Sequence, residues 1–185
     1  MTGHRCPTCA ADAVESERDA RRWAEAVCVD LARIGIRLGH RVKVDLVCPD
    51  SLQRTAGGAH GFVGGSTRRR YTPFGGTEAT GITIARGLTG IHFGSTLAHE
   101  IGHCWLTEQG IDGLAAPIEE GVCQVFAGAW LKKQDGRLAG ALRDALDSPD
   151  EVYGVGYRLV RTAIRERGIN AVLTCLRERR RLMCL

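Results

Sequence analysis

The sequence predicts an α+β fold: a small sheet set beside one central helix, followed by a mostly helical C-terminal half. Three observations carry this. Residues 41–48 alternate apolar and polar side chains, as a strand does. Residues 82–86, Ile-Thr-Ile-Ala-Arg, have a second strand's composition. Beyond Gly94 the apolar residues recur at three- and four-residue steps, the period of helices.

Taken in order, residues 11–38 read as one long helix, with Val14, Trp23, Val27, Leu31, Ile34 and Leu38 at helical steps and Gly39 as its stop. The strand 41–48 places Val42, Val44 and Leu46 on one face and Lys43, Asp45 and Val47 on the other. Residues 49–80, rich in Gly, Ser, Thr and Arg, read as a long loop with room for a hairpin, of a length that suits a lid or substrate collar. The strand 82–86 reads either as the sheet edge above a cleft, where an extended peptide would add, or as an ordinary core strand. Ser95 is the expected N-cap of the central helix, and Leu97, Ala98, Ile101 and Trp105 give that helix a broad apolar surface. Pro117 suits the first turn of the next helix, in which Val122, Val125, Phe126, Ala129 and Trp130 keep helical spacing. Residues 137–146 follow Gly136, Ser148-Pro149 marks a break, and 153–167 and 170–180 close the chain as two helices parted by Gly168.

A chain of 185 residues, 44% hydrophobic, is about one soluble domain. No apolar run approaches the ~18 residues of a membrane helix, and the polar start lacks a signal-peptide core, so the expected location is the cytoplasm. There the eight cysteines read as thiols or ligands rather than disulfides, with Cys28, Cys104, Cys123 and Cys175 as small core residues. Net charge is +4, with basic clusters at residues 68–70 and 177–181. Without interleaved aromatic residues these read as solvated surface rather than a nucleic-acid platform.

The stretch His99-Glu100-Ile101-Gly102-His103 reads H-E-x-x-H. On a helix, positions i and i+4 share a face, so both imidazoles can address one metal ion while Glu100 lies beside them as a general base. Glu119 and Glu120 open the following helix. They differ by about 100° around its axis, so one of them at a time can face the metal as a third ligand. The alternative is a pair of solvated acids favoured by the helix dipole.

Three blocks, residues 94–105, residues 119–125 and Tyr153-Gly154-Val155-Gly156-Tyr157-Arg158, together resemble the peptidase domain of the plant LIM-domain, ubiquitin-activated peptidases, the DA-one family. The likeness runs from about Cys6 to the C-terminus, with residues 49–80 dissimilar. It implies a zincin-like, gluzincin-type metallopeptidase: His99 and His103 bind Zn2+, and Glu100 takes the proton of a zinc-activated water during hydrolysis of protein or peptide substrates. Glu120 is taken as the third ligand because glycine follows it, as in peptidases with this ligand set. Glu119 is then an alternative ligand or a residue beside the ligands, and Gln124, one turn beyond Glu120, reads either as the acceptor that orients a ligand histidine or as a polar helix-surface contact. Tyr153 reads equally as a donor to the oxyanion or as a packing residue. His92 and His60 are left outside the site.

Plant members carry ubiquitin-interacting motifs and a complete LIM domain ahead of the peptidase. Here Cys6-Pro7-Thr8-Cys9 resembles the last cysteine pair of that module. The expected organisation is therefore a zinc-knuckle-like remnant over residues 1–10 and a metallopeptidase domain over 11–185. A second, structural zinc at Cys6 and Cys9 would need two more ligands, with His4 and a distant cysteine as the candidates. Ubiquitin enters as a partner by family analogy alone. The competing readings are a DNA-associated peptidase that removes protein adducts, and a non-catalytic zinc-binding adaptor that holds a peptide. Intact Glu100 speaks against the adaptor.

Overall fold

The computed structural model describes residues 6–55, 64–73 and 76–182. The chain forms α1 (Pro7–Ala11), α2 (Glu17–Ala32), β1 (Val44–Val47), α3 (Pro49–Thr55), β2 (Gly65–Tyr71), β3 (Thr77–Ala85), α4 (Gly90–Glu108), α5 (Ala116–Leu131), α6 (Arg137–Ala145), α7 (Tyr153–Arg167) and α8 (Ile169–Arg179). The fold is mixed α+β, with one small three-stranded sheet and a helical C-terminal half. The sheet order is β1-β3-β2, with β1 parallel and β2 antiparallel to β3.

The first helix is not continuous. Ala13 bridges to Thr89, and Ser16 then caps α2 by accepting from the Asp19 amide at 3.1 Å. The Ser-x-x-Asp pattern, a start signal overlooked in the sequence, halts the helical period before it reaches residue 11. At the far end Gly35 turns at φ 84°, so α2 stops at Ala32 rather than Leu38.

Residues 49–80 also differ from the expected loop. They hold α3, β2 and the start of β3; β2 and β3 form the hairpin for which the loop left room, while α3 was not anticipated. The strand expected at 82–86 is the second half of β3, which lies in the centre of the sheet. The sheet edge beside the cleft is β2 instead. Its composition hid it because β2 has few apolar residues: it packs one polar face on α4 and leaves Arg68, Arg69, Arg70 and Tyr71 exposed.

The central helix α4 starts at Gly90 with Thr89 as N-cap, and Ser95 is buried within it. Ser95 was expected as the cap because Gly94-Ser95-Thr96 precedes the H-E-x-x-H stretch, but Gly90 and Gly94 lie inside the helix. They serve packing. A Cβ on Gly90 would lie 2.0 Å from the Trp23 ring and one on Gly94 2.2 Å from Trp130. The core around α4 is built from Phe93, Leu97, Ile82, Ile84, Leu31 and Trp130, each fully buried. Helices α5 and α7 meet backbone to backbone: a Cβ on Gly121 would lie 2.3 Å from the Gly156 carbonyl oxygen, and one on Gly156 1.9 Å from that of Pro117. No helix among the described residues is long and apolar enough to cross a membrane.

Candidate metal centre

Two adjacent helices build the centre. On α4 the His99 and His103 rings lie 5.0 Å apart, edge to face, and both are largely buried. Across from them, α5 presents Glu120. Its Oε2 lies 3.1 Å from His99 Nε2 and 3.6 Å from His103 Nε2. That oxygen is buried and has no hydrogen-bond partner. A buried carboxylate oxygen that faces two imidazole nitrogens without a well-formed hydrogen bond to either is costly, and a cation between the three would remove the cost. Two neutral nitrogens and one carboxylate are a donor set that suits zinc and leaves a coordination position for water. Burial would raise the Glu120 carboxyl, but the imidazoles of His103 and His99 outweigh it and hold the group at about 2.

Cys123 adds a fourth candidate donor, one turn further along α5. The donor atoms of His99, His103 and Cys123 all lie within 4.8 Å of one another. Read from the sequence as a core residue, Cys123 is indeed completely buried, and burial pushes its thiol up to about 11. A Cβ on Gly102 would lie 2.9 Å from the Cys123 Cα, so it is the absence of a side chain at Gly102 that lets the two helices approach this closely.

Glu119 faces the other side of His103. Its Oε1 lies 3.0 Å from His103 Nδ1, and Arg69 Nη2 lies 2.9 Å from the same nitrogen while also pairing with Glu119. The Nδ1 atom can donate to the carboxylate or accept from the guanidinium, but not both. If Nε2 keeps its lone pair for a metal, Nδ1 carries the proton, Glu119 accepts it, and Arg69 holds Glu119 in place. The contacts of His103 and Arg69 keep the Glu119 carboxyl below its ordinary value. Burial opposes protonation of His103, yet Cys123, Glu119 and Glu120 raise it well above the usual imidazole value in the metal-free chain.

Glu100 is buried under β2. Thr67 Oγ1 donates to its Oε2 at 2.7 Å, and a Cβ on Gly65 would lie 2.9 Å from its Oε1. Gly65, Thr67 and Arg69 alternate along β2 and so lay one face of the edge strand over the centre. All three escaped the sequence reading. Their signal was the period-two pattern Gly-x-Thr-x-Arg, hidden inside a basic cluster. Each arginine of that cluster has its own acid: Arg68 with Asp45 at 2.8 Å, Arg69 with Glu119, and Arg70 with Glu78 at 2.9 Å. In the second cluster, Arg180 donates to the Gly110 carbonyl at 2.6 Å and Arg177 bonds Gln109.

A cleft of about 1170 Å³ opens in front of these residues, walled by β2 and by residues 148–153. Tyr153 stands at its rim as the first residue of α7, with its ring 6.2 Å from that of His99. Asp150 Oδ1 caps this turn, accepting from the amides of Val152 at 2.9 Å and Tyr153 at 2.7 Å. Burial raises the Tyr153 phenol, which therefore stays a proton donor at neutral pH. Gln124 is half-buried and bonds neither histidine; Glu119 takes the orienting place instead. His92 is shielded by its surroundings, which lower its pKa, and it does not belong to the cluster of candidate donors. Cys6 caps α1, its sulfur accepting from the Cys9 amide at 3.4 Å, and no third candidate ligand joins them among the described residues. His4 and His60 lie outside the described residues.

A family profile described as "DA1-like: Protein DA1" matches residues 35–145, more than half of the chain. Similar curated proteins include Protein DA1-related 7 of Arabidopsis thaliana, 29% identical over 131 residues, covering 54% of this chain and 23% of that protein. Protein DA1-related 1 of the same plant is 46% identical over 57 residues, 31% of this chain and 10% of that protein. The LIM domain-containing protein HDR3 of Oryza sativa subsp. japonica is 46% identical over 57 residues, 31% of this chain and 11% of that protein. The chain thus spans about a quarter or less of the length of these relatives. No solved structure matches it. The profile covers every residue of the two-helix centre and its β2 cover, while Cys6, Cys9 and Tyr153 fall outside.

Proposed function

Because the chain belongs to the DA1-like family, we propose that it is a zinc-dependent endopeptidase of zincin-like build, hydrolysing peptide bonds in protein substrates. The observation that carries the reading is the orphaned Glu120 Oε2, buried and facing the Nε2 atoms of both H-E-x-x-H histidines. His99, His103 and Glu120 hold the ion. Zinc in such a site polarises the scissile carbonyl and acidifies a water. Glu100 is the general base. Thr67 occupies its Oε2, which leaves Oε1 to accept the proton from water and return it to the leaving amine. Glu119 and Arg69 fix the tautomer of His103. Tyr153 supplies the second donor to the oxyanion from the opposite rim.

The peptidase domain spans residues 11–185, with 1–10 as the knuckle remnant. Every described cysteine is a free thiol, which fits the reducing cytoplasm. Protein substrates are its partners, and regulation by ubiquitin rests on the family alone.

A second reading rests on Cys123. With its thiolate bound beside Glu120, four protein donors would close the site, and the chain would be a zinc-holding peptide adaptor. Cobalt substitution separates the two, because a thiolate ligand gives a near-ultraviolet charge-transfer band that a His-His-Glu site lacks.

The deciding experiment measures zinc per chain in metal-washed, reloaded protein together with hydrolysis of a quenched peptide library. About one zinc is expected in wild type and in Glu100→Gln, with turnover lost in the latter, and none in His103→Ala. A folded wild-type chain that refuses zinc would end the metallopeptidase reading.

A further inference from the structure

A second concavity lies behind α4, away from the metal centre and independent of the peptidase reading. It is a groove of about 930 Å³ between α2, the linker after it and the start of β1. Its floor is apolar: the half-buried Ile36, Leu38 and Val42 of the linker form its surface, backed by the core residues Leu31 of α2 and Leu97 and Ile101 of α4. The linker wall is basic, with Arg37, Arg41 and Lys43 along it. Lys43 is paired with Asp45 at 2.7 Å, but Arg37 and Arg41 are exposed and make no ion pair or hydrogen bond among the described residues. The α2 wall is mixed, with Arg21 set between Glu17 and Glu25.

Strand β1 is the free edge of the sheet on this side. Its carbonyls at Lys43 and Val47 accept from Ile82 and Arg86, so alternate residues face β3. The Val44 amide and carbonyl therefore point outward, with no other backbone partner among the described residues. An apolar floor, a strand edge with free hydrogen-bonding groups, and two unpaired guanidinium groups on one wall together define an occupant. Apolar side chains would fill the floor at alternate positions, backbone groups would pair along Val44, and carboxylates would meet Arg37 and Arg41.

We propose that this groove docks an extended acidic segment of a partner protein, with apolar residues alternating with acidic ones. The test uses a fluorescein-labelled peptide alternating leucine and glutamate, read by anisotropy against the full chain carrying Glu100→Gln so that the probe is not hydrolysed. Saturable binding is expected. It should weaken roughly tenfold or more in the Arg37→Glu/Arg41→Glu double variant and stay unchanged in Arg165→Glu, an exposed arginine on α7. Circular dichroism melting confirms that the variants fold. Equal binding of a leucine–lysine peptide, or no response to the double reversal, overturns the proposal. So does binding that emerges only after removal of residues 1–5, which would make the groove a seat for this chain's own N-terminus. A dimer that dissociates on the double reversal would assign the groove to a second copy and overturn it likewise.

Discussion

At the scale of single residues, the centre depends on what is absent as much as on what is present. Gly65 is the clearest case, because a methyl group there would meet Glu100 and Thr96 within 3.0 Å. Gly65→Ala should cost about 1–3 kcal/mol in a urea titration and lower kcat at least tenfold by pushing the carboxylate off Thr67. A variant that melts lower yet turns over normally would show that Glu100 tolerates the shift. Glu119→Gln tests the tautomer argument. Zinc affinity should fall about 10–100-fold while the fold is kept, measured by competition with a chromogenic chelator. Unchanged affinity would mean that Glu119 is a surface acid paired with Arg69 and nothing more. The adjacent glutamates were both visible in the sequence, and helical geometry said that they diverge. Which of them points at the histidines depends on how α5 lies against α4, and no local pattern records that.

At the scale of elements, long apolar-periodic segments were legible and polar ones were not. Helices α4 and α5 declared themselves through Leu97, Ala98, Ile101, Val122, Phe126 and Trp130, all of them core residues. Strand β2 did not, since its inward face is glycine, threonine and arginine serving a polar centre rather than a core. Close helix contacts were half legible. Gly154 and Gly156 stand in the sequence as a pair of small residues, but the partner surface on α5 appears only in three dimensions. Gly156→Ala places a methyl group on the Pro117 carbonyl and should separate α5 from α7. A loss of about 1–3 kcal/mol or more is expected in chemical denaturation, with zinc affinity falling too because Glu120 rides on α5. Normal stability in that variant would contradict the observed packing.

At the scale of the whole molecule, acid should loosen the chain through its carboxylate clamps. Lys43 and Arg68 hold Asp45 below its ordinary 3.8, tying β1 to β2. Arg158 and Arg161 do the same to Asp147, tying α7 to the turn before it. A carboxyl whose folded pKa is depressed stabilises fully above the unfolded value and loses that contribution as pH falls through the folded one. Through these two clamps the urea midpoint of the metal-free chain should decline as pH falls below 3.8. Asp45→Asn should flatten the decline. The metal donors all sit on two helices, whereas the groups that steady the base sit on one short edge strand. On the proposed reading, change confined to Gly65 and Thr67 would silence hydrolysis and leave His99, His103 and Glu120 in place, so descendants of such a chain could drift from cutting peptides to merely holding them without rebuilding their core.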